Sequence, residues 1–370
     1  MAQRNPSMFN RNRLKLGLFG PNCSSGEAAT KVPERWVTSW ENNIKLAQLA
    51  DEVGIECMVP IGRWKGYGGE TNFEGETWET ITWAAGLLAH TKKISAFGTV
   101  HVPLFHPIVA AKQMVTADHM GQGRFGLNIV CGWNPDEFEM FGVERRDHEL
   151  RYEYGQEWWD IVRKIWSGEG PFDYQGKYFK LKNVEGSPRP YGGQRPAMMN
   201  AGGSETGRQF AIRNADFHFD HFAVPEQGTE KIKETKRLAR ELGHEIAVFN
   251  AGYVVCRPTE KEAKDYEHYF IDENADWAAA DHLMEMLVPN MHENFQGEVF
   301  SELRRRFVGG YGGLPIIGNP DQVAQMFKRI HDAGLDGIII SFVNYLDELP
   351  YFAQEVLPRL ERMGIREPVR

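Results

Sequence analysis

The run GLNIVCGWNPDEFEMFG, residues 126–142, starts as an apolar strand, carries Asn128 in its middle and breaks into acidic and aromatic residues after Gly132. A buried amide without partners costs a few kcal/mol. Asn128 therefore either bonds a neighbouring strand in the core or aims its amide at a ligand's polar edge. Thr99, in the preceding strand KKISAFGTVHV, poses the same choice at matching depth. A second constellation lies in MMNAGGSETGRQFA, residues 198–211. Gly202, Gly203, Ser204 and Thr206 place backbone amides and two hydroxyls at a helix N-terminus, which suits an anion. A tight turn with a serine cap is the plainer reading. Arg151 and Tyr152 begin RYEYGQEWWDIVRKIW and add a bidentate phosphate ligand and a hydroxyl donor. His101 and His106 flank the mouth of the third strand, where either could pass a proton or sit on a surface loop.

Other chemistries are poorly supported. In FHFDHF (217–222), strand alternation puts His218 and Asp220 on one face and His221 on the other, so no metal is expected there. Cys23, Cys57, Cys131 and Cys256 form no CxxC pair and read as free buried thiols in a reducing cytoplasm. No GxxxxGK[ST] is present, nor a GxGxxG after a strand, which argues against nucleoside triphosphates and a dinucleotide fold.

These residues need a scaffold that brings them together. Apolar runs at 14–20, 55–61, 92–102, 124–130, 195–203, 215–222, 245–256 and 335–344 alternate with helix-like segments. Ser39 can cap the first helix, which carries an apolar stripe to Gly54, and Pro107 can open another. Eight strands alternating with helices predict an α/β fold, a (β/α)8 TIM barrel forming a single domain over residues 1–370. In such a barrel ligands bind at the C-terminal strand ends. An insertion at about 257–318 separates strands seven and eight. It contains Arg304, Arg305 and Arg306, a solvated face or a set of hands for an anionic or polar substrate. It also contains GGYGG (309–313), expected in a mobile lid over about 290–315 or in a plain surface loop.

The 370 residues are 42% hydrophobic and 25% charged, enough for a large core. With a net charge of −9 and no basic stripe, nucleic acid is a poor partner. The N-terminus lacks the apolar core of a signal peptide, and no run reaches the roughly 18 apolar residues of a membrane span.

GRFGLNIVCGWNPDEFEMFG, RYEYGQEWWDIVRKIW and MMNAGGSETGRQFA together resemble the bacterial-luciferase-like flavin monooxygenases, most closely the branch of alkanesulfonate, dimethylsulfone and pyrimidine-ring-opening enzymes. The resemblance runs from about residue 14 to 360. It implies reduced FMN as co-substrate, O2, a separate NAD(P)H-dependent flavin reductase, and a homo-oligomer, dimer or tetramer. It places Gly62, Arg63, Asn128, Glu137, Arg151, Tyr152, Gly203 and Ser204 at the flavin, and Thr99 and Asn128 where oxygen meets it. Alkanesulfonate members carry a catalytic His on strand seven and a Tyr near strand eight; the matching places here hold Tyr253 and Val343. Dimethylsulfone members have an aliphatic residue where Thr99 stands, whereas pyrimidine-opening members have Thr. The implied reaction inserts one oxygen into a small amide-like or N-heterocyclic compound. A sulfone or sulfonate monooxygenase, a deazaflavin-dependent dehydrogenase and a non-enzymatic flavin-binding barrel are the alternatives.

Overall fold

The computed structural model describes residues 4–287 and 296–369. Strands β1 (Lys15–Phe19), β2 (Cys57–Val59), β3 (Ser95–His101) and β4 (Phe125–Val130) lie side by side in chain order. A separate antiparallel hairpin, β5 (Phe172–Gln175) and β6 (Lys180–Val184), intervenes. The main sheet resumes with β7 (Ala197–Asn200), β8 (Phe217–Phe219) and β9 (Ala247–Cys256). Past β10 (Leu314–Gly318), β11 (Gly337–Ser341) pairs with β9 on one edge and β1 on the other. Together with the β8–β9 pairing this closes eight parallel strands into a barrel, and each of the eight apolar runs contributes one of them.

Alternation along the strands fills two layers. Cys57, Val59, Phe97, Met199, Phe217, Phe219, Phe249 and Ile339 pack inside the barrel. Leu16, Leu18, Ala96, Val100, Leu127, Ile129, Met198 and Ile338 face the helices. The helices begin with α1 (Trp40–Val53), where Ser39 accepts from the Asn42 amide and Gly54 ends the helix in a left-handed turn. Next come α2 (Thr80–His90), α3 (Pro107–Met120), α4 (Pro135–Phe141), α5 (His148–Ser167), α6 (Glu205–Asn214) and α7 (Thr229–Glu241). On α5, Trp158, Trp159 and Trp166 are buried in this chain's own core.

The insertion contains α8 (Glu260–Glu267), a π-helical stretch His268–Glu273, α9 (Trp277–Leu287), α10 (Gly297–Gly310) and β10. It has its own core of Phe270, Ile271, Leu283, Met284, Phe307 and Val308, joined by Tyr253 and Val255 of β9. Strand β9 runs past the end of β8. Its Gly252–Cys256 edge on that side takes β10, while the opposite edge holds β11 as far as Tyr253. The expected lid at about 290–315 lies in part outside the described residues. Its described end is packed. GGYGG is no open loop: Gly309 and Gly310 finish α10 against the Tyr253 ring, where an added Cβ would stand 2.6 and 2.7 Å from Tyr253 atoms. After β10 the chain closes with α11 (Pro320–Asp332), α12 (Tyr345–Glu355) and α13 (Leu357–Arg362).

Candidate active site

A cavity of about 670 Å3 opens at the C-terminal ends of the strands. Thr99, Asn128, Gly62, Arg63, Arg151, Tyr152, Gly203 and Ser204 all line it. The barrel thus gathers residues spread over some 140 positions of the chain. Glu137 does not line it and stands behind Arg63 instead.

Thr99 and Asn128 are register partners on β3 and β4. Thr99 Oγ1 donates to the Pro60 carbonyl at 2.5 Å and accepts from Asn128 Nδ2 at 3.1 Å. Asn128 Oδ1 is buried without a partner. Half of the amide is therefore a core contact, and the other half is left for something in the cavity. The Nδ2 end thus bonds a neighbouring strand, as the core reading expects.

At the N-terminus of α6, Ser204 Oγ accepts from the Gly207 amide at 3.1 Å. Gly202 is packed: a Cβ there would stand 2.8 Å from Tyr152 Oη and 2.6 Å from Gly207 Cα. Gly203 is open, with nothing within 4 Å of an added Cβ. Arg151 donates from Nη1 to the Gly132 carbonyl, while its buried Nε has no partner. Burial, with Arg145 near, lowers the Arg151 pKa. Burial also pushes the Tyr152 hydroxyl up to about 12, with Cys131 adding and the Ser204 contact opposing, so Tyr152 is a neutral donor. Cys131 beside them is likewise pushed up to about 12 by burial, which keeps it a thiol and no nucleophile.

Arg63 is buried at the centre of a charged cluster. Its Nε donates to Glu74 Oε2 at 3.1 Å, Nη1 to Glu137 Oε1 at 3.0 Å and Nη2 to the Tyr311 hydroxyl at 2.9 Å. The guanidinium also lies over Tyr67, 4.6 Å from the ring centre. Burial lifts Glu74 to about 7 against the pull of Arg63, and burial with Glu74 near lifts Glu27 well above the usual carboxylate range. Burial would raise Glu137 too, but His101 and Arg63 hold it below the usual value. Glu27, Glu74, Tyr67 and Tyr311 were not expected at the site; Tyr311 meets Arg63 from 248 positions away, and the cluster's burial comes from the fold.

The insertion's arginines divide. Arg304 is fixed to Asp281 and stacks on Trp277, and Arg305 binds Asp272 and Glu267. Only Arg306 of the three lines the cavity, holding Glu302 and the Ala223 carbonyl, each at 3.0 Å. Tyr253 faces the insertion's core and is absent from the cavity wall. His106 caps α3, whereas His101 reaches the cavity.

The sequence is 29% identical to an FMNH(2)-dependent dimethylsulfone monooxygenase of Pseudomonas fluorescens (strain Pf0-1), covering 96% of both chains. It is 26% identical to a pyrimidine monooxygenase, RutA, of Acinetobacter baylyi (strain ATCC 33305 / BD413 / ADP1), covering 93% of this chain and 94% of that one. The fold superposes on a riboflavin lyase crystal structure with a TM-score of 0.85, at 22% identity, covering 96% of this chain and 93% of the other. The luciferase-like monooxygenase family model matches residues 14–337, spanning β1 to β10, the cavity wall and the insertion just described, and the chain belongs to that family.

Proposed function

We propose that this protein is the oxygenating component of a two-component system, which takes reduced FMN from a separate NAD(P)H-dependent reductase and inserts one atom of O2 into a small organic substrate. The observation that carries the reading is the unfilled set of donors and acceptors in one cavity: Arg151 Nε, the open Gly203 and Asn128 Oδ1. These fit FMN. Arg151, Tyr152, Ser204 and Gly203 would hold its dianionic phosphate at the α6 N-terminus. Asn128 Oδ1 would accept an N–H of the bound group, and Thr99 fixes the amide in that orientation. Bound FMN supplies the electrons with which O2 is divided between product and water. Phe19, Ile61, Phe219, Phe222, Phe307 and Leu314 surround the cavity with apolar surface that excludes water.

For the substrate, Thr99 in place of an aliphatic residue favours an amide-like or N-heterocyclic compound over a dialkylsulfone. A homo-oligomer, dimer or tetramer, in the cytoplasm completes the proposal. An anaerobic titration with reduced FMN, oxidised FMN and reduced deazaflavin tests the cofactor. Preferential binding of reduced FMN supports the reading, and preference for deazaflavin replaces it with a dehydrogenase. Turnover of uracil and of dimethylsulfone, with a flavin reductase and O2, then separates the two substrate classes.

A further inference from the structure

His101 sits at the end of β3, two residues beyond Thr99 and on the same inner face. It is 5% exposed and lines the cavity. Its Nδ1 lies 3.3 Å from Glu137 Oε2, within ion-pair distance, and that buried carboxylate oxygen makes no hydrogen bond. Glu137 is fixed from its other side. Its Oε1 accepts from Arg63 Nη1 at 3.0 Å and from the Trp64 amide at 2.9 Å. A carboxylate facing Nδ1 favours the proton on that nitrogen, which leaves Nε2 as the nitrogen that gains and loses one. Nε2 lies beside Gly62, where an added Cβ would stand 3.3 Å from it and 3.2 Å from Thr99 Cγ2. A side chain at 62 would cover Nε2, and glycine leaves it open.

We propose that His101 is a catalytic proton carrier of the cavity, held by Glu137 as its positioning residue and kept uncovered by Gly62. The proposal rests on the monooxygenase reading. In that reaction one oxygen atom enters the substrate and the other leaves as water, whose two hydrogens come from reduced FMN, so protons must be moved within the cavity. His101 Nε2 takes up one such proton and delivers it to the departing oxygen, ending as it began. The charged groups facing His101 are Glu137 of α4 and, behind it, Arg63 of the segment after β2. His148, Arg151, Tyr152, His221, Arg306 and Tyr311 line the same cavity and are the competing titratable groups.

Two measurements test this. In the ligand-free protein, NMR titration of the histidine rings, with His101 assigned by H101N, reads the dyad without any cofactor. Glu137→Gln should lower the His101 pKa by about one unit or more, because it removes the facing carboxylate. In the second, reoxidation of bound reduced FMN by O2 is followed in single turnover from about pH 5 to pH 8. H101N should slow it about 100-fold and flatten its pH dependence, while H90N and H119N, which lie outside the cavity, keep the wild-type profile. Gly62→Ala, which leaves every titratable group in place, should slow it as well. An unmoved His101 titration in Glu137→Gln overturns the dyad. A wild-type pH profile in H101N, with or without weaker FMN binding, overturns the proton role. Failure of the wild type to bind reduced FMN would instead sink the monooxygenase reading and leave the NMR result standing.

Discussion

Arg63 Nη2 donates to the Tyr311 hydroxyl at 2.9 Å, joining positions 248 residues apart. The bond ties the segment after β2 to the end of the insertion. The same guanidinium holds Glu74 and Glu137, and all three side chains are at most 2% exposed. One residue thus fixes the insertion over the barrel mouth and orients the carboxylate facing His101.

Removing that residue strands two buried carboxylates. Arg63→Ala should destabilise the fold by about 3–5 kcal/mol, read from urea unfolding. Tyr311→Phe loses the hydroxyl that bonds both Arg63 and Tyr67 and should cost about 1–3 kcal/mol. If Arg63→Ala unfolds at the wild-type urea concentration, the cluster is not a structural centre.

Arg151 is the cation that the proposed function assigns to the FMN phosphate, and its buried Nε has no partner within the described residues. Arg151→Ala should weaken reduced FMN binding by more than about 1 kcal/mol, the scale of a lost charge-assisted contact. Riboflavin, which lacks the phosphate, should bind both forms alike. Equal loss for the two ligands would move Arg151 away from the phosphate.

The parts legible in the sequence were those set by local pattern. Apolar runs bounded by caps and glycines located all eight barrel strands, and the barrel rule then gathered Thr99, Asn128, Arg151 and Ser204 at one mouth. What stayed hidden depends on distant partners. Nothing near Arg304 and Arg305 announces Asp281, Asp272 or Glu267, which turn them from substrate hands into struts of the insertion. GGYGG looked loose because glycine has no side chain to pack. Its first two glycines are there to let α10 approach the Tyr253 ring. The β5–β6 hairpin and β10 are short strands whose pairing only the fold reveals.

Asp118 on α3 offers a pH test away from the site. It is 1% exposed, its Oδ2 accepts from the Tyr191 amide at 2.8 Å, and its Oδ1 has no partner. Burial lifts its pKa from 3.8 to about 6, with the Tyr191 amide opposing. Between these values the folded protein keeps a proton that the unfolded chain has released. Stability from this group is therefore full below about pH 4 and lost as pH rises through about 6. Asp118→Asn, which cannot ionise, should flatten urea-unfolding stability across that window. An unchanged slope would assign it to another group.

Asn128 separates folding from chemistry at a single position. Its Nδ2 end is satisfied by Thr99, and its Oδ1 end is buried and unpartnered. An amide held only for packing would have both ends bonded, since an orphaned buried carbonyl costs about 1–3 kcal/mol. Asn128→Ala removes that orphan together with the Thr99 contact, so the two changes offset and the fold should survive with a near wild-type circular dichroism spectrum and unfolding midpoint. Single-turnover reoxidation of bound reduced FMN should nevertheless slow by about tenfold or more, as expected when a preorganised polar group at the reacting centre is lost. Thr99→Val, which leaves the Asn128 amide in place but frees it to turn, should fall between the variant and the wild type. If Asn128→Ala unfolds the protein, the amide serves the core. If it folds and reacts at the wild-type rate, the unpartnered oxygen has no part in the reaction.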